Sequence, residues 1–352
     1  MTIGIIAHDA HPIKEPYQGG LEMLTRLLVN ELVARGHSVT TLCLEGSDLK
    51  GKMVFYSKIE TSLSPSEAES DLHRFGHFYK SLNEFLTIQF DILHNHSLNH
   101  HAIISGSLTP IPFITSFHTP VFDNLNVALQ AIHQAPNQMF TAVSNSLNSV
   151  YQEHLITLTT IYNGIDVNAW QTSSITENYF SWCGRICKEK GLIETMDLCH
   201  TNYIHLKIAG PIANQDYFDK HVQPRLLKYD CCEYVGHLGL LQVNDLYAKS
   251  RAFIFSSTWE EPYGLVIAEA LASGTPVIAN NIGAASEIIT EDCGILFHLN
   301  EPQTFSSAIL KLNSIDSRKC RERAEEFCSH LKMVDQYETL YHQISVRSAQ
   351  LA

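Results

Sequence analysis

The fold turns on residues 256–279, SSTWEEPYGLVIAEALASGTPVIA. An apolar run, Phe253 to Phe255, leads into it and reads as a buried strand. A polar turn with Glu261, Pro262 and Gly264 follows. Then comes an alanine-rich apolar helix carrying Leu265, Ile267, Ala268, Ala270 and Leu271. Gly274, Pro276 and a second buried strand, Pro276 to Ala279, close the unit. Strand, loop, helix, strand is the βαβ element of a parallel sheet. The loop leaves the carboxyl end of one strand and enters a helix amino terminus, where backbone N–H groups and the helix dipole favour an anion. Glu261 in the loop and Glu269 in the helix, seven residues between them, flank that position.

The same alternation runs outward from this unit. Strand-type runs recur at 179–185, 204–210, 232–235, 251–255, 276–279 and 294–297, with helical stretches between them. The amino-terminal half repeats the pattern at 2–7, 38–44, 91–96, 112–118, 138–144 and 159–165. Its first helix is marked by Leu21, Leu24, Leu28 and Leu32 and stops at Gly36. Residues 47–70 are polar and read as a variable excursion, followed by a helix over roughly 71–88. Two doubly wound α/β domains are therefore expected. The first βα loop lacks G-x-G-x-x-G, which speaks against a nicotinamide-binding domain. Its Gly19–Gly20 pair is either a tight turn or a close backbone approach to a phosphate at a helix start. The turn Asn163-Gly164-Ile165-Asp166 marks a seam. Expected boundaries are a domain over 1–165, a linker over 166–178, a second domain over 179–332 and a terminal helix over 333–352.

The string EPYGLVIAEALASGTPVI, with Glu261 and Glu269 in place, resembles the EX7E signature of retaining glycosyltransferases of family 4. The match runs along the whole string, far more than a pair of glutamates. The turn at Asn163 is similar to the one that closes the first domain in that family. The resemblance implies the GT-B architecture: two facing Rossmann-like domains with a cleft between them, the first for the acceptor, the second for a nucleotide-diphosphate sugar. It also implies that the terminal helix crosses back onto the first domain.

The resemblance further implies roles for particular residues. Arg185 and Lys190, in GRICKEKG, match the pair that holds the donor pyrophosphate. An acidic protein must supply such cations locally. Gly264 and Leu265 would offer backbone N–H groups to the same donor. Glu269 matches the glutamate that accepts from both ribose hydroxyls, and Glu261 the one that orients the sugar ring. His118, in SFHTP at a strand end, matches a histidine beside the donor sugar. Gly19 and Gly20 fall where the family contacts donor phosphates. Nucleobase contacts are expected from the loops after Ala209 and near Val235. The implied reaction moves a hexose, most readily from a UDP- or GDP-sugar, to an acceptor hydroxyl with retention, and without a metal or other cofactor.

Composition narrows the alternatives. The 352 residues suffice for two cores, and 45% hydrophobic with 17% charged residues is a globular balance. A net charge of −13 disfavours a nucleic-acid partner. Apolar runs are too short for a membrane span, and the amino terminus lacks a secretory pattern. Residues 1–165 hold eight Lys plus Arg against fourteen Asp plus Glu, so peripheral membrane contact is expected to be transient at most. The acceptor is left open among saccharide, small molecule and lipid. Nine cysteines without C-x-x-C suggest thiols in a reducing cytoplasm. His94, His96, His100 and His101 could ligate a metal, but only Asp91 stands near to complete a set, so no metal site is expected. Rival readings are a GT-B sugar-nucleotide epimerase, an enzyme using sugar phosphates, and a non-catalytic sugar-nucleotide binding module.

Overall fold

A computed structural model describes residues 1–57, 71–132, 137–154 and 158–351. The chain forms two compact units, Met1–Tyr162 with Leu331–Ala352, and Asn163–His330.

The first unit is built on a seven-stranded sheet whose described pairings are all parallel, in the order β3-β2-β1-β4-β5-β6-β7. The strands are β1 Thr2–Ile6, β2 Ser38–Cys43, β3 Lys52–Phe55, β4 Ile92–Asn95, β5 Phe113–Phe117, β6 Gln138–Ala142 and β7 Leu158–Thr160. Helices α1 Gly20–Ala34, α2 Asp71–Leu86, α3 His100–Ser107, α4 Asp123–Ala131 and α5 Asn145–Tyr151 connect them. Central strands covered on both faces need side chains that are apolar or hydrogen-bonded within the protein, and β4 (ILHN) and β5 (FITSF) are buried along their whole length. Ile6, Leu42, Phe78, Phe85, Leu93 and Phe113 make the core cluster between sheet and helices. Strand β3 was not expected: it lies in the polar stretch 47–70, at the sheet edge, half exposed, and so lacks the apolar run that marks the others. Residues 58–70 of that stretch lie outside the described residues.

The second unit has a six-stranded parallel sheet, order β10-β9-β8-β11-β12-β13. Its strands are β8 Phe180–Cys183, β9 Leu206–Ala209, β10 Cys232–Gly236, β11 Ala252–Phe255, β12 Val277–Asn280 and β13 Gly294–Phe297. The principal helices are α6 Leu192–Thr201, α7 Leu240–Lys249, α8 Leu265–Ala272, α9 Pro302–Lys311 and α10 Ser317–Phe327, with shorter turns such as Ala285–Ile288 between them. Phe180, Trp182, Ile208, Ile254, Ile278 and Phe297 anchor its core. The two ends of this unit are stitched together: Ile165 N–H donates to Cys328 O at 2.8 Å, and His330 N–H to Ile165 O at 2.9 Å.

The last helix, α11 His330–Leu351, completes the first unit. Tyr341 hydroxyl meets His94 Nδ1 at 2.6 Å, and His94 Nε2 meets Ser116 Oγ at 2.7 Å. Ser116 also bonds Thr141 at 2.7 Å and Tyr337 at 2.9 Å. Buried polar groups on β4, β5 and β6 thus depend on hydroxyls from α11, since unpaired they would be costly. At its solvent side α11 pairs Asp335 and Glu338 with Arg35, and Glu338 with His37.

Both sheets change strand direction of growth once, between β1 and β4 and between β8 and β11. In an open parallel sheet, the loops leaving the carboxyl ends of two such strands diverge and leave a crevice for a ligand.

Candidate active site

In the second unit, that position is taken by the loops after β8 (residues 184–191) and after β11 (residues 256–264). They are tied to each other. Trp182 Nε1 donates to Ser256 Oγ at 3.0 Å, and the Ser256 hydroxyl donates to Lys190 O at 3.0 Å. Thr258 N–H reaches Glu189 O at 2.9 Å. Gly191 packs directly on the second loop. Its φ is +66°, and a Cβ there would stand 2.0 Å from Ser256 O, so only glycine fits. The glycine beside Lys190 is therefore required by loop packing.

This stitching brings Lys190 to Glu261, with Nζ donating to Oε2 at 2.5 Å. Both side chains are less than a fifth exposed, at 17% and 18%. Trp259 Nε1 donates to the same oxygen at 2.9 Å, and the Lys190 ammonium lies 5.6 Å from the Trp259 ring centre. Trp259 was absent from the sequence expectations. A side chain two residues from Glu261 in an irregular loop leaves no periodic signal, and only its chemistry, a donor-only indole beside a carboxylate, could have marked it. Arg185 sits on the Lys190 loop, exposed, 4.0 Å from Glu189. Lys188 and Glu260 are exposed as well.

Gly264 caps α8 with φ 93°, a left-handed conformation that turns the chain sharply into the helix; Leu265 is its first residue. The first N–H groups of any helix lack partners inside it, so this end suits an anion. Glu269 lies on the same helix, half-buried, near Cys183 and Tyr247. Loss of water pushes its carboxyl up to about 7.

In the first unit, Gly19 and Gly20 open α1. Glu22, in the first turn of that helix, is buried, with His8 Nε2 at 3.4 Å from its Oε1. His118 follows β5. Its two ring nitrogens are buried without a protein partner, and its ring packs 5.1 Å from that of His96. Burial pulls the His118 imidazole down to about 4, so it is neutral at pH 7. The four-histidine stretch separates into distinct roles: His94 belongs to the buried hydroxyl network, while the rings of His100 and His101 meet at 3.8 Å, tilted by 45°. Among the described residues, no three His, Cys, Asp or Glu side chains gather as they would around a metal ion. All nine cysteines are free. No described helix is long and apolar enough to cross a membrane.

Comparison with known proteins agrees with this architecture. Residues 18–169 match the family model Glycosyltransferase Family 4, and residues 169–327 match Glycosyl transferases group 1. The chain is 25% identical over 320 residues to the glycogen synthase of Mycobacterium tuberculosis, covering 77% of this chain and 76% of that one. Sucrose-phosphate synthase from Thermosynechococcus elongatus superposes with a TM-score of 0.78 at 16% identity, over 98% of this chain and 99% of that one. Anabaena HepE, solved with UDP-glucose, superposes with a TM-score of 0.72 at 17% identity, over 97% and 99%. Two parallel Rossmann-like sheets with these likenesses define a GT-B fold. The chain belongs to the family 4-like glycosyltransferases.

Proposed function

We propose that this glycosyltransferase moves a hexose from a nucleotide-diphosphate sugar, a UDP- or GDP-sugar, to an acceptor hydroxyl with retained anomeric configuration and without a metal ion. The observation that carries this reading is the Lys190–Glu261 pair at the entry to α8, beside the strand-order reversal between β8 and β11. A cation, a helix amino terminus and a carboxylate stand together, a combination suited to a diphosphate and its attached sugar. HepE, which shares the fold, is described in complexes with UDP and UDP-glucose.

On this reading Lys190, Arg185 and the first N–H groups of α8, at Gly264 and Leu265, neutralise the leaving diphosphate. Glu269 accepts from the ribose hydroxyls and Glu261 from a hydroxyl of the sugar. His118 donates to the sugar from its neutral ring. Gly19 and Gly20 let backbone N–H groups approach the phosphates. The bond from the anomeric carbon to the diphosphate oxygen breaks, the acceptor oxygen bonds to that carbon from the same face, and its proton passes to the departing phosphate oxygen. The free cysteines fit a reducing, cytoplasmic setting.

The test is a panel of nucleotide sugars, with slow donor hydrolysis and the anomer of the first product read by NMR. An α-linked donor should yield an α-product, and rates in excess EDTA should match those without it. No turnover of any nucleotide sugar would overturn the reading.

Glu269 adds a pH prediction. With its carboxyl pushed up to about 7, it is only partly ionised at neutral pH in the free protein. Ribose hydroxyls donating to it favour the ionised form, so affinity for a nucleotide sugar should tighten as pH rises from 6 to 8 and level off above. The donor's phosphates do not titrate in that range. Glu269→Gln should flatten the profile, measured by calorimetric titration with UDP-glucose.

A further inference from the structure

We propose that Trp259 is a positioning residue: its indole N–H holds the Glu261 carboxylate in place for the donor sugar while Lys190 changes partners. This rests on the donor-binding reading above. In the free protein, Glu261 Oε2 receives two donors, Lys190 Nζ at 2.5 Å and Trp259 Nε1 at 2.9 Å. Its Oε1 has no hydrogen-bond donor among the described residues and is left for a ligand hydroxyl.

The two donors differ in kind. Lys190 is a point charge on a flexible stem, and a diphosphate, with about two negative charges, competes with Glu261 for it. As the ammonium swings to the phosphate, Glu261 loses its closest partner. The indole N–H can neither titrate nor accept, so it stays on Oε2 whichever partner Lys190 has. Trp259 is itself fixed: Ser257 Oγ donates to its carbonyl at 3.1 Å, and the same hydroxyl reaches Glu189 O at 3.3 Å. The ring also lies against the Lys190 ammonium, 5.6 Å from centre to Nζ, which keeps the lysine near its hand-over point. The carboxylate is thus preorganised before the donor arrives and stays so after the lysine has left.

Trp259→Phe keeps the aromatic face for Lys190 and removes only the N–H. It should lower kcat with the preferred nucleotide sugar about tenfold, the size expected for a lost hydrogen bond to a charged group. Affinity for free UDP, which lacks the sugar, should stay within about twofold of wild type. On a Glu261→Gln background, the same substitution should add less than about a twofold loss, because the two act as one unit. Trp259→His, which restores a ring N–H, should recover part of the rate.

The proposal is overturned if Trp259→Phe turns over like wild type, if UDP affinity falls as far as kcat, if the tenfold loss persists on the Glu261→Gln background, or if Phe and His are equally impaired. Should Trp259→Phe fail to fold, Trp259→Leu, which also lacks an N–H, takes its place beside Trp259→His: a higher kcat for His than for Leu supports the proposal, and equal rates for the two sink it. The underlying reading fails separately. If Glu261→Gln leaves turnover intact, the role of Glu261 itself is wrong.

Discussion

Lys190→Ala should lower kcat/KM for the nucleotide-sugar donor by about 10² to 10³-fold, the range for removing one preorganised charge-stabilising group. The reasoning starts from position. Lys190 is held by its own backbone, through Ser256, at the carboxyl end of the central strands, and its ammonium is shielded from bulk water. A charge in such a place acts on a developing phosphate anion through a medium of lower dielectric than water. Its effect should be largest on the transition state, where the diphosphate departs, so kcat falls along with donor affinity. The fold should feel it less. Glu261 keeps its bond from Trp259, and the melting temperature should stay within about 4 °C of wild type. Arg185→Ala should act in the same direction more weakly, since that guanidinium is exposed and must order itself on the ligand. A Lys190→Ala enzyme with unchanged donor affinity and rate would remove the diphosphate site from this loop.

His118→Ala should reduce kcat by about 10²-fold, within the range for a positioned polar group at a reacting centre. The imidazole is neutral near pH 7 because burial holds it down to about 4, so the part proposed for it is to donate a hydrogen bond. His118→Asn, which keeps an N–H donor, should recover some of the loss; equal rates for Ala, Asn and wild type would make the residue structural. Stability carries a second signature. Burial lowers the titration of His118, His94 and His96 below the ordinary imidazole value. Between about pH 6.5 and 4 the unfolded chain then binds more protons than the folded one. Stability attributable to these rings is complete above about 6.5 and is lost as pH falls through that window. Thermal melts should show the first unit weakening on acidification from about pH 6.5, above the range in which ordinary carboxylates protonate, and His118→Ala should reduce that slope.

The sequence carried much of this because buried parallel strands are short apolar runs with little ambiguity. AFIF of β11 and the run into β12 frame the site, and the polar residues between them have few other places to lie. The contact between Lys190 and Glu261 was not legible, because it depends on two loops meeting across β8 and β11 through Ser256, Thr258 and Gly191. Trp259 was missed for the same reason. Strand β3 escaped because an edge strand can be half polar. The histidine-rich stretch invited a metal, yet His94 is bound up with Ser116 and with tyrosines from the far end of the chain, a pairing no local pattern announces.

That pairing bears on how the molecule is made. As the chain leaves the ribosome, the amino-terminal sheet emerges first, but Tyr337 and Tyr341 arrive only after the whole of Asn163–His330 has been synthesised. The later unit is contiguous and can close its core as soon as it emerges. The earlier one must wait, with His94 and Ser116 short of their partners, so the usual amino-to-carboxyl order of completion during translation is reversed.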